Sequence, residues 1–382
     1  MKRAGILLIC FSLLAGFLPC KVQALELNVA AKSAVLMDVA TGTILYEQNP
    51  HEALAPASVT KVMTMLLIME AIDSGKIGWN DSVTASEAAA AKGGSQIYLK
   101  VGETMSVSDM VKSISVSSAN DCACAMAEHL AGSESAFVDL MNARAQELGM
   151  MDTHFVNCTG LDDSPEAANH RTSAHDIAIM SRELLKNHPD IKKFTTIWMD
   201  TVRNGAFGLS NTNKMVRFYD GCTGLKTGFT SGAGYCLSAS AQRNGMELIA
   251  VVMGSATSAE RFAAAKSMLD YGFANFALYT PEIPENAAVS VTLGKSSVIS
   301  AVPAESPQLL VEKNQVSSIT TEVELEPSVS APVSAGQRLG TLTIQYQGQV
   351  LREIPLIAEE AVARLTWGDL TVKILQQMAM AK

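Results

Sequence analysis

Apolar and polar positions follow two periods over the first 280 residues, and each switch between them marks a new element. Ala34–Leu36 and Ile44–Tyr46 are short β-rich runs joined by the turn-forming stretch Asp38-Val39-Ala40-Thr41-Gly42. After Pro56 the period becomes helical. Val62, Met63, Leu66, Leu67 and Met69 supply one apolar side, and Gly75 ends the helix. Ser106 followed by Asp109 reads as an N-cap with its acidic N3 partner. Helices are then expected from Asp121 to Leu130, from Glu134 to Leu148 with Gly149 as the stop, and from Thr172 to His188 before Pro189. Strand patterns return at Met215–Tyr219, Thr223–Lys226, Tyr235–Ala241 and Leu248–Met253, with Asn244-Gly245 as a hairpin turn between the last two. A final helix covers Ala259 to Phe276. The sum is an α/β (α+β) domain in which an antiparallel sheet is flanked by helices.

The pattern changes after Pro281. Pro284, Pro303, Pro307, Pro327 and Pro332 punctuate short alternations such as Val289-Ser290-Val291-Thr292-Leu293, and Leu342–Tyr346, Gly348 and Val350–Ile357 read as a hairpin. Residues 281–358 are therefore expected to form a small all-β module, and nothing in it suggests catalysis. Residues 359–382 can form a helix with Trp367, Leu370, Ile374 and Met378 on one stripe and Asp369, Lys373 and Gln376 opposite. That helix either lies in the plane of a membrane as a peripheral anchor or packs on the β module.

The N-terminus reads as an address. Lys2 and Arg3 precede an apolar run from Gly5 to Phe17, and Val22-Gln23-Ala24 offers a small-residue cleavage site. Residues 1–24 are thus expected to be a signal peptide and the protein to be exported, with residues 25–280 as the main domain. The 382 residues carry a formal net charge of −9. A phosphate-binding surface needs a basic footprint, so nucleic acid is excluded as a partner. Of seven cysteines, Cys10 and Cys20 fall in the leader. The five others, with no second C-x-C or His pair at metal spacing to join Cys122 and Cys124, suggest buried thiols with at most one bridge.

Three short motifs carry chemistry: Ser58-Val59-Thr60-Lys61, Ser118-Ala119-Asn120 and Lys226-Thr227-Gly228. Each alone is weak, since Ser58 and Ser118 could simply cap helices and Lys226 could sit beside an edge-strand turn. Their order and setting make them a set. Ser58 and Lys61, three apart, share a helix face, so the amine can reach the hydroxyl and serve as its base. That requires a neutral lysine, hence burial or neighbouring positive charge such as the helix N-terminus and Lys226. Ser118, expected to open a helix, could relay a proton, and Asn120 could hold a substrate amide. Lys226 and Thr227 would receive a carboxylate. Gly228 would let a substrate backbone lie along the strand edge, and the Phe229 N–H would join Ser58 as an oxyanion donor.

The trio resembles that of penicillin-binding proteins and serine β-lactamases. Leu54-Ala55-Pro56-Ala57-Ser58-Val59-Thr60-Lys61, Gly93-Gly94-Ser95-Gln96, Asn157-Cys158-Thr159-Gly160-Leu161-Asp162 and Leu225-Lys226-Thr227-Gly228-Phe229-Thr230 narrow it. These are similar to D-alanyl-D-alanine carboxypeptidases, the low-molecular-mass penicillin-binding proteins, and to their Gram-positive, sporulation-associated branch. The resemblance runs from about Ala31 to Phe276, and the β module and tail match the family's layout. It implies Ser58 as the acylated nucleophile, Lys61 as base, Ser118 as relay and Lys226 as carboxylate binder. The substrate implied is a peptidoglycan stem peptide ending in D-Ala-D-Ala, with β-lactam antibiotics as mimics and no metal or cofactor. Ala119 departs from the glycine usual in the family, which touches only substrate fit.

Two rival readings remain at this level. A serine β-lactamase of class A would need a glutamate-held water, for which Glu166 lies in the right region but in an unmatched run, Glu166-Ala167-Ala168-Asn169. An inactive wall-binding protein could keep the fold without turnover. His175 is read as structural, His170 and His175 are wrongly spaced for a helical metal pair, and Asp162-Asp163 is read as a local cap.

Overall fold

The computed structural model describes Leu27, residues 29–284 and residues 287–372. The expected leader, and Ile374 and Met378 of the expected tail stripe, lie outside these residues.

A five-stranded antiparallel sheet organises the larger unit. Its strands are β1 (Ser33–Asp38), β2 (Ile44–Gln48), β3 (Cys222–Thr230), β4 (Gly234–Arg243) and β5 (Met246–Ser255), in the order β2-β1-β5-β4-β3. The β4–β5 turn is Asn244-Gly245, both left-handed (φ 50° and 80°), as a two-residue hairpin of that type requires. Strand residues divide with period two between two cores. Val35, Met37, Ile249, Val251 and Met253 face the helical side, while Ala34, Leu36, Leu248, Ala250 and Val252 face the opposite side.

On the helical side stand α1 (Lys61–Asp73), α2 (Val107–Ser117), α3 (Asn120–Ala131), α4 (Glu134–Glu147) and α5 (Ala174–Asn187). Among the described residues one long helix, α6 (Ser258–Asn275), covers the other face and starts with a capping box between Thr257 and Glu260. Ser106 caps α2 by accepting the Asp109 N–H, as its sequence predicts. α1 is buried on nearly every side, so its apolar residues are not confined to one stripe.

One strand expectation fails. Met215–Phe218 is a helical turn, not a strand. Asn213 Oδ1 accepts the Met215 N–H at 3.1 Å while its Nδ2 donates to the Gly224 carbonyl at 2.9 Å. This polar cap curls the chain, and of the turn's apolar residues only Met215 is fully buried. A two-stranded ribbon, Met199–Val202 with Phe207–Ser210, was not foreseen.

The C-terminal module is all β. Strands β6 (Ala288–Thr292), β7 (Val298–Pro303), β8 (Ile319–Leu325), β9 (Ser328–Ser330), β10 (Arg338–Tyr346) and β11 (Gln349–Ala358) form one sheet, β8-β10-β11-β7-β6-β9, around its own apolar cluster. Phe276–Tyr279, directly after α6, pairs with Leu309–Glu312 and ties the two units together. Among the described residues no helix is long and apolar enough to cross a membrane. All five described cysteines are free thiols, and only Cys222 is not fully buried.

Candidate active site

The chain approaches α1 through a 3-10 turn, Ala57–Thr60, so Ser58 sits one turn before the α-helix proper. Ala57 adopts a left-handed φ of 48°, a conformation that costs a residue with a Cβ and recurs at functional sites. Across this junction Lys61 Nζ lies 2.9 Å from Ser58 Oγ and donates to the Thr159 carbonyl at 2.9 Å. Ser58 is half-buried, whereas Lys61 is fully enclosed. Burial pulls the Lys61 amine down to about 7, with the nearby Asp121 carboxylate opposing part of the fall. A lysine that titrates near neutrality can take the proton of a hydroxyl it touches.

The segment 157–162 builds the wall behind Lys61. Asn157 Oδ1 accepts the N–H groups of Thr159 (3.1 Å) and Gly160 (2.7 Å), which aims the Thr159 carbonyl at the lysine. Gly160 has φ +79°, and a Cβ there would stand 1.8 Å from the Ala57 carbonyl oxygen. The nucleophile turn and this loop are thus in backbone contact. His170, deeply buried, accepts the Val156 N–H on Nδ1 and meets Thr60 Oγ1 with Nε2 at 2.8 Å, and the Thr60 hydroxyl donates to the Ala57 carbonyl. Burial, then the His154 and Arg171 charges, push His170 down to about 4, so it is neutral and its tautomer is set by these partners.

Ser118 does not open a helix. It closes α2 in the left-handed region (φ 63°), and Ala119 then leads into α3. The sharp reversal places Ser118, 4% exposed, between α2 and α3. Asn120 begins α3 with its N–H on the Ser95 carbonyl (2.7 Å) and its Nδ2 on the Gly93 carbonyl (2.7 Å). Its buried Oδ1 has no partner among the described residues. That orphan acceptor suits an incoming amide N–H.

β3 is the edge of its sheet and faces the nucleophile turn. Lys226 is fully buried and donates to the Thr227 carbonyl (2.9 Å). Burial, then the Lys61 and Arg261 charges, hold its amine well below the usual range. The Thr227 hydroxyl bonds Thr212 Oγ1 at 2.7 Å and reaches the cleft, being 6% exposed. At Gly228 a Cβ would lie 2.7 Å from the Pro56 carbonyl and 3.1 Å from the Ser58 nitrogen, so only glycine leaves a gap there. Phe229 is exposed and stacks on Tyr235, ring centroids 4.3 Å apart.

The structure brings Ser58, Lys61, Lys226 and Gly228 together, with Lys61 on Ser58 Oγ, Gly228 against the Ser58 nitrogen and Lys226 close enough to feel the Lys61 charge. Thr227 and Phe229 flank Gly228 on β3, while Ser118 and Asn120 stand at the α2–α3 junction with no hydrogen bond to Ser58 or Lys61 among the described residues. Glu166 is not among them, being exposed and hydrogen-bonded to Ser164 and its own backbone. Asp162 and Asp163 cap no helix; the next helical turn, Pro165–Asn169, starts from Ser164. Sequence reasoning missed Arg261. Its guanidinium, buried on α6, donates to the carbonyls of Gly228 (3.0 Å) and Cys236 (3.2 Å) and so braces the glycine strand from behind. A lone arginine within the apolar pattern of α6 was the only hint.

Residues 20–257 match the family described as D-alanyl-D-alanine carboxypeptidase, and residues 282–364 match the penicillin-binding protein 5 C-terminal domain. The chain is 44% identical to the D-alanyl-D-alanine carboxypeptidase DacF of Bacillus subtilis, over 93% of its own length and 92% of the relative's. Penicillin-binding protein 5 of Haemophilus influenzae superposes with a TM-score of 0.73 at 31% identity, covering 88% of this chain and 98% of that one. Penicillin-binding protein D2 of Listeria monocytogenes, solved in an ampicillin-bound form, does so with a TM-score of 0.57 at 31% identity, over 65% of this chain and 99% of that one.

Proposed function

The chain belongs to the D-alanyl-D-alanine carboxypeptidase family of serine peptidases, and we propose that Ser58, Lys61 and Ser118 run the reaction while Asn120, Lys226, Thr227, Gly228 and Phe229 hold the substrate. The enzyme is a serine-type D-alanyl-D-alanine carboxypeptidase that acts on peptidoglycan and binds β-lactams. The terminal D-Ala-D-Ala lies antiparallel to the β3 edge, with its backbone over Gly228. Asn120 Oδ1 accepts the amide N–H nearest the helical wall. Thr227 hydroxyl and the Lys226 amine receive the terminal carboxylate, whose negative charge favours the protonated amine that burial otherwise opposes. Ser58 Oγ attacks the penultimate carbonyl and gives its proton to the neutral Lys61 amine. The oxyanion points to the backbone N–H groups of Ser58 and Phe229. Lys61, through Ser118, returns the proton to the departing D-alanine amine. Water then attacks the Ser58 ester by the same route in reverse and frees the shortened peptide.

The observation that carries this reading is the 2.9 Å Lys61–Ser58 contact with an amine brought by burial to about 7. Intact-protein mass spectrometry with penicillin, alongside D-alanine release from a D-Ala-D-Ala peptide, tests it. A lasting adduct and release, both lost in Ser58→Ala, are expected. Fast turnover of the drug would overturn it in favour of a β-lactamase.

The Lys2-Arg3 start, the apolar run and the Val22-Gln23-Ala24 site support export to the outer face of the cytoplasmic membrane, where peptidoglycan is found. Trp367, 87% exposed, supports the tail's peripheral membrane contact.

A further inference from the structure

We propose that Tyr98 and Phe207 form a sugar-stacking platform at one end of the cleft, which receives the amino-sugar strand from which the stem peptide hangs; this rests on the carboxypeptidase reading above. Tyr98 is 66% exposed yet adopts a left-handed φ of 60°. For an aromatic residue that backbone is strained and persists only where the surroundings enforce it. Here they do. The Asp121 carboxylate accepts the N–H groups of Ile97 (3.1 Å) and Leu99 (3.0 Å) on either side, and both those side chains are buried. Arg203 donates to the carbonyls of Ile97 (2.7 Å) and Tyr98 (3.3 Å) and is itself anchored on Glu103 at 2.6 Å. The whole arrangement fixes a strained backbone whose result is an aromatic ring held out in water.

The same arginine braces the second ring. Its guanidinium carbon lies 5.4 Å from the Phe207 centroid, and Phe207 meets Tyr98 edge-on with centroids 6.4 Å apart. Phe207 is half-buried against the helical core and backs the Tyr98 ring, whose own 66% exposure leaves its face open to solvent. Such a face is electron-rich and favours the electropositive axial C–H groups of a pyranose.

Position points to the strand of sugars. Gly93 and Ser95, whose carbonyls hold Asn120, lie in the same loop as Tyr98. Tyr98 lies three positions beyond Ser95, at most about 11 Å of chain. The Phe207 ribbon runs directly into Thr212, the partner of the Thr227 hydroxyl. Tyr98 and Phe207 thus belong to the two segments whose neighbouring residues hold Asn120 and Thr227. A stem pentapeptide spans at most about 18 Å when extended, so its sugar falls on surface within that reach of Ser58. Two rings braced by one arginine are far smaller than the roughly 800 Å² per side of a stable protein interface, which disfavours a protein partner.

The test compares D-alanine release from a sugar-free pentapeptide with release from the disaccharide-pentapeptide, in wild type, Tyr98→Ala, Phe207→Ala and Tyr98→Phe. Wild type should favour the sugar-bearing substrate in kcat/KM. Tyr98→Ala and Phe207→Ala should each reduce that preference roughly fivefold, through KM, and Tyr98→Phe should keep it. The rate of penicillin acylation reports whether each variant retains a folded site. Should an alanine variant fail that check, Tyr98→Leu against Tyr98→Phe decides on the same ratio. An unchanged preference in variants that still acylate would overturn the platform while leaving the carboxypeptidase intact. Release from neither substrate by wild type overturns the carboxypeptidase reading and the platform with it.

Discussion

Replacing Gly228 by alanine isolates the geometry of the oxyanion pocket. The new Cβ would stand 2.7 Å from the Pro56 carbonyl oxygen, 3.1 Å from the Ala57 Cβ and 3.1 Å from the Ser58 nitrogen. An oxyanion bound by the Ser58 N–H needs to sit 2.7–3.1 Å, roughly, from that nitrogen, so the methyl competes for the same space. Gly228 is not in the left-handed region, so alanine meets no backbone penalty of its own, and the strand between Lys226 and Thr230 should still pair with β4. Loss of one oxyanion donor in an acyl-transfer enzyme costs about 10²–10³ in rate, or about 2.7–4 kcal/mol. The expected outcome is a 10²–10³-fold drop, roughly, in the second-order rate of acylation by a fluorescent penicillin, followed by gel or stopped flow. Gly232→Ala is the control. Its Cβ would meet only Asp162 Oδ2, at an ordinary 3.6 Å, and acylation should stay within about threefold of wild type. Acylation by Gly228→Ala within about threefold of wild type, with an unchanged melting temperature, would refute the assignment of the pocket at this strand.

The remaining predictions use other parts of the site. Acylation should rise with pH through about 7, as the Lys61 amine loses its proton; a profile flat from pH 6 to 8 would remove Lys61 from the role of base. The same amine titrates near its ordinary 10.5 in the unfolded chain, so between 7 and 10.5 the unfolded state binds the extra proton, and Lys61 adds stability as pH rises. His170 has the same sign at lower pH. Its value falls from 6.5 to about 4 on folding, so acidification through that window protonates the unfolded chain first and costs up to about 3 kcal/mol. Urea midpoints at pH 7 and 5 should therefore fall more steeply for wild type than for His170→Gln, and equal slopes would contradict it. Gly160→Ala, with its Cβ 1.8 Å from the Ala57 carbonyl and φ +79°, should lose more than about 2 kcal/mol of stability and at least tenfold in acylation. Both are readable by thermal melts and penicillin labelling, and a variant as stable and reactive as wild type would show that the 157–162 loop does not seat the nucleophile turn.

Local signals in the sequence determined a good deal. The helix from Lys61, the Ser106 cap, the Asn244-Gly245 hairpin and the split between a mixed domain and an all-β module follow from periodicity, capping and turn chemistry, which act over a few residues. The motif serines and lysines were legible because Ser58 and Lys61 lie three apart on one turn, and the reach of a lysine to a serine at that spacing is a local matter. Met215–Phe218 was misread because a side chain two residues upstream, Asn213, supplied a cap that its apolar run does not reveal. The left-handed Ser118, which turns one helix into the next, was equally invisible, since a serine there has no local preference for that backbone. Arg261 acts on Gly228 from 33 residues away in sequence, and His170 acts on Thr60 across 110. The titration of Lys61 near 7 depends on the enclosing loop and helices, because desolvation is a property of everything packed around a charge. Strands β1 and β5 alternate between two apolar cores, so their sequence could not say which face meets the helices. Residue type and spacing determined which groups could react; only the tertiary structure decided which would be dry, braced and within 2.9 Å of each other, since burial and long-range contact exist only once the chain has closed on itself.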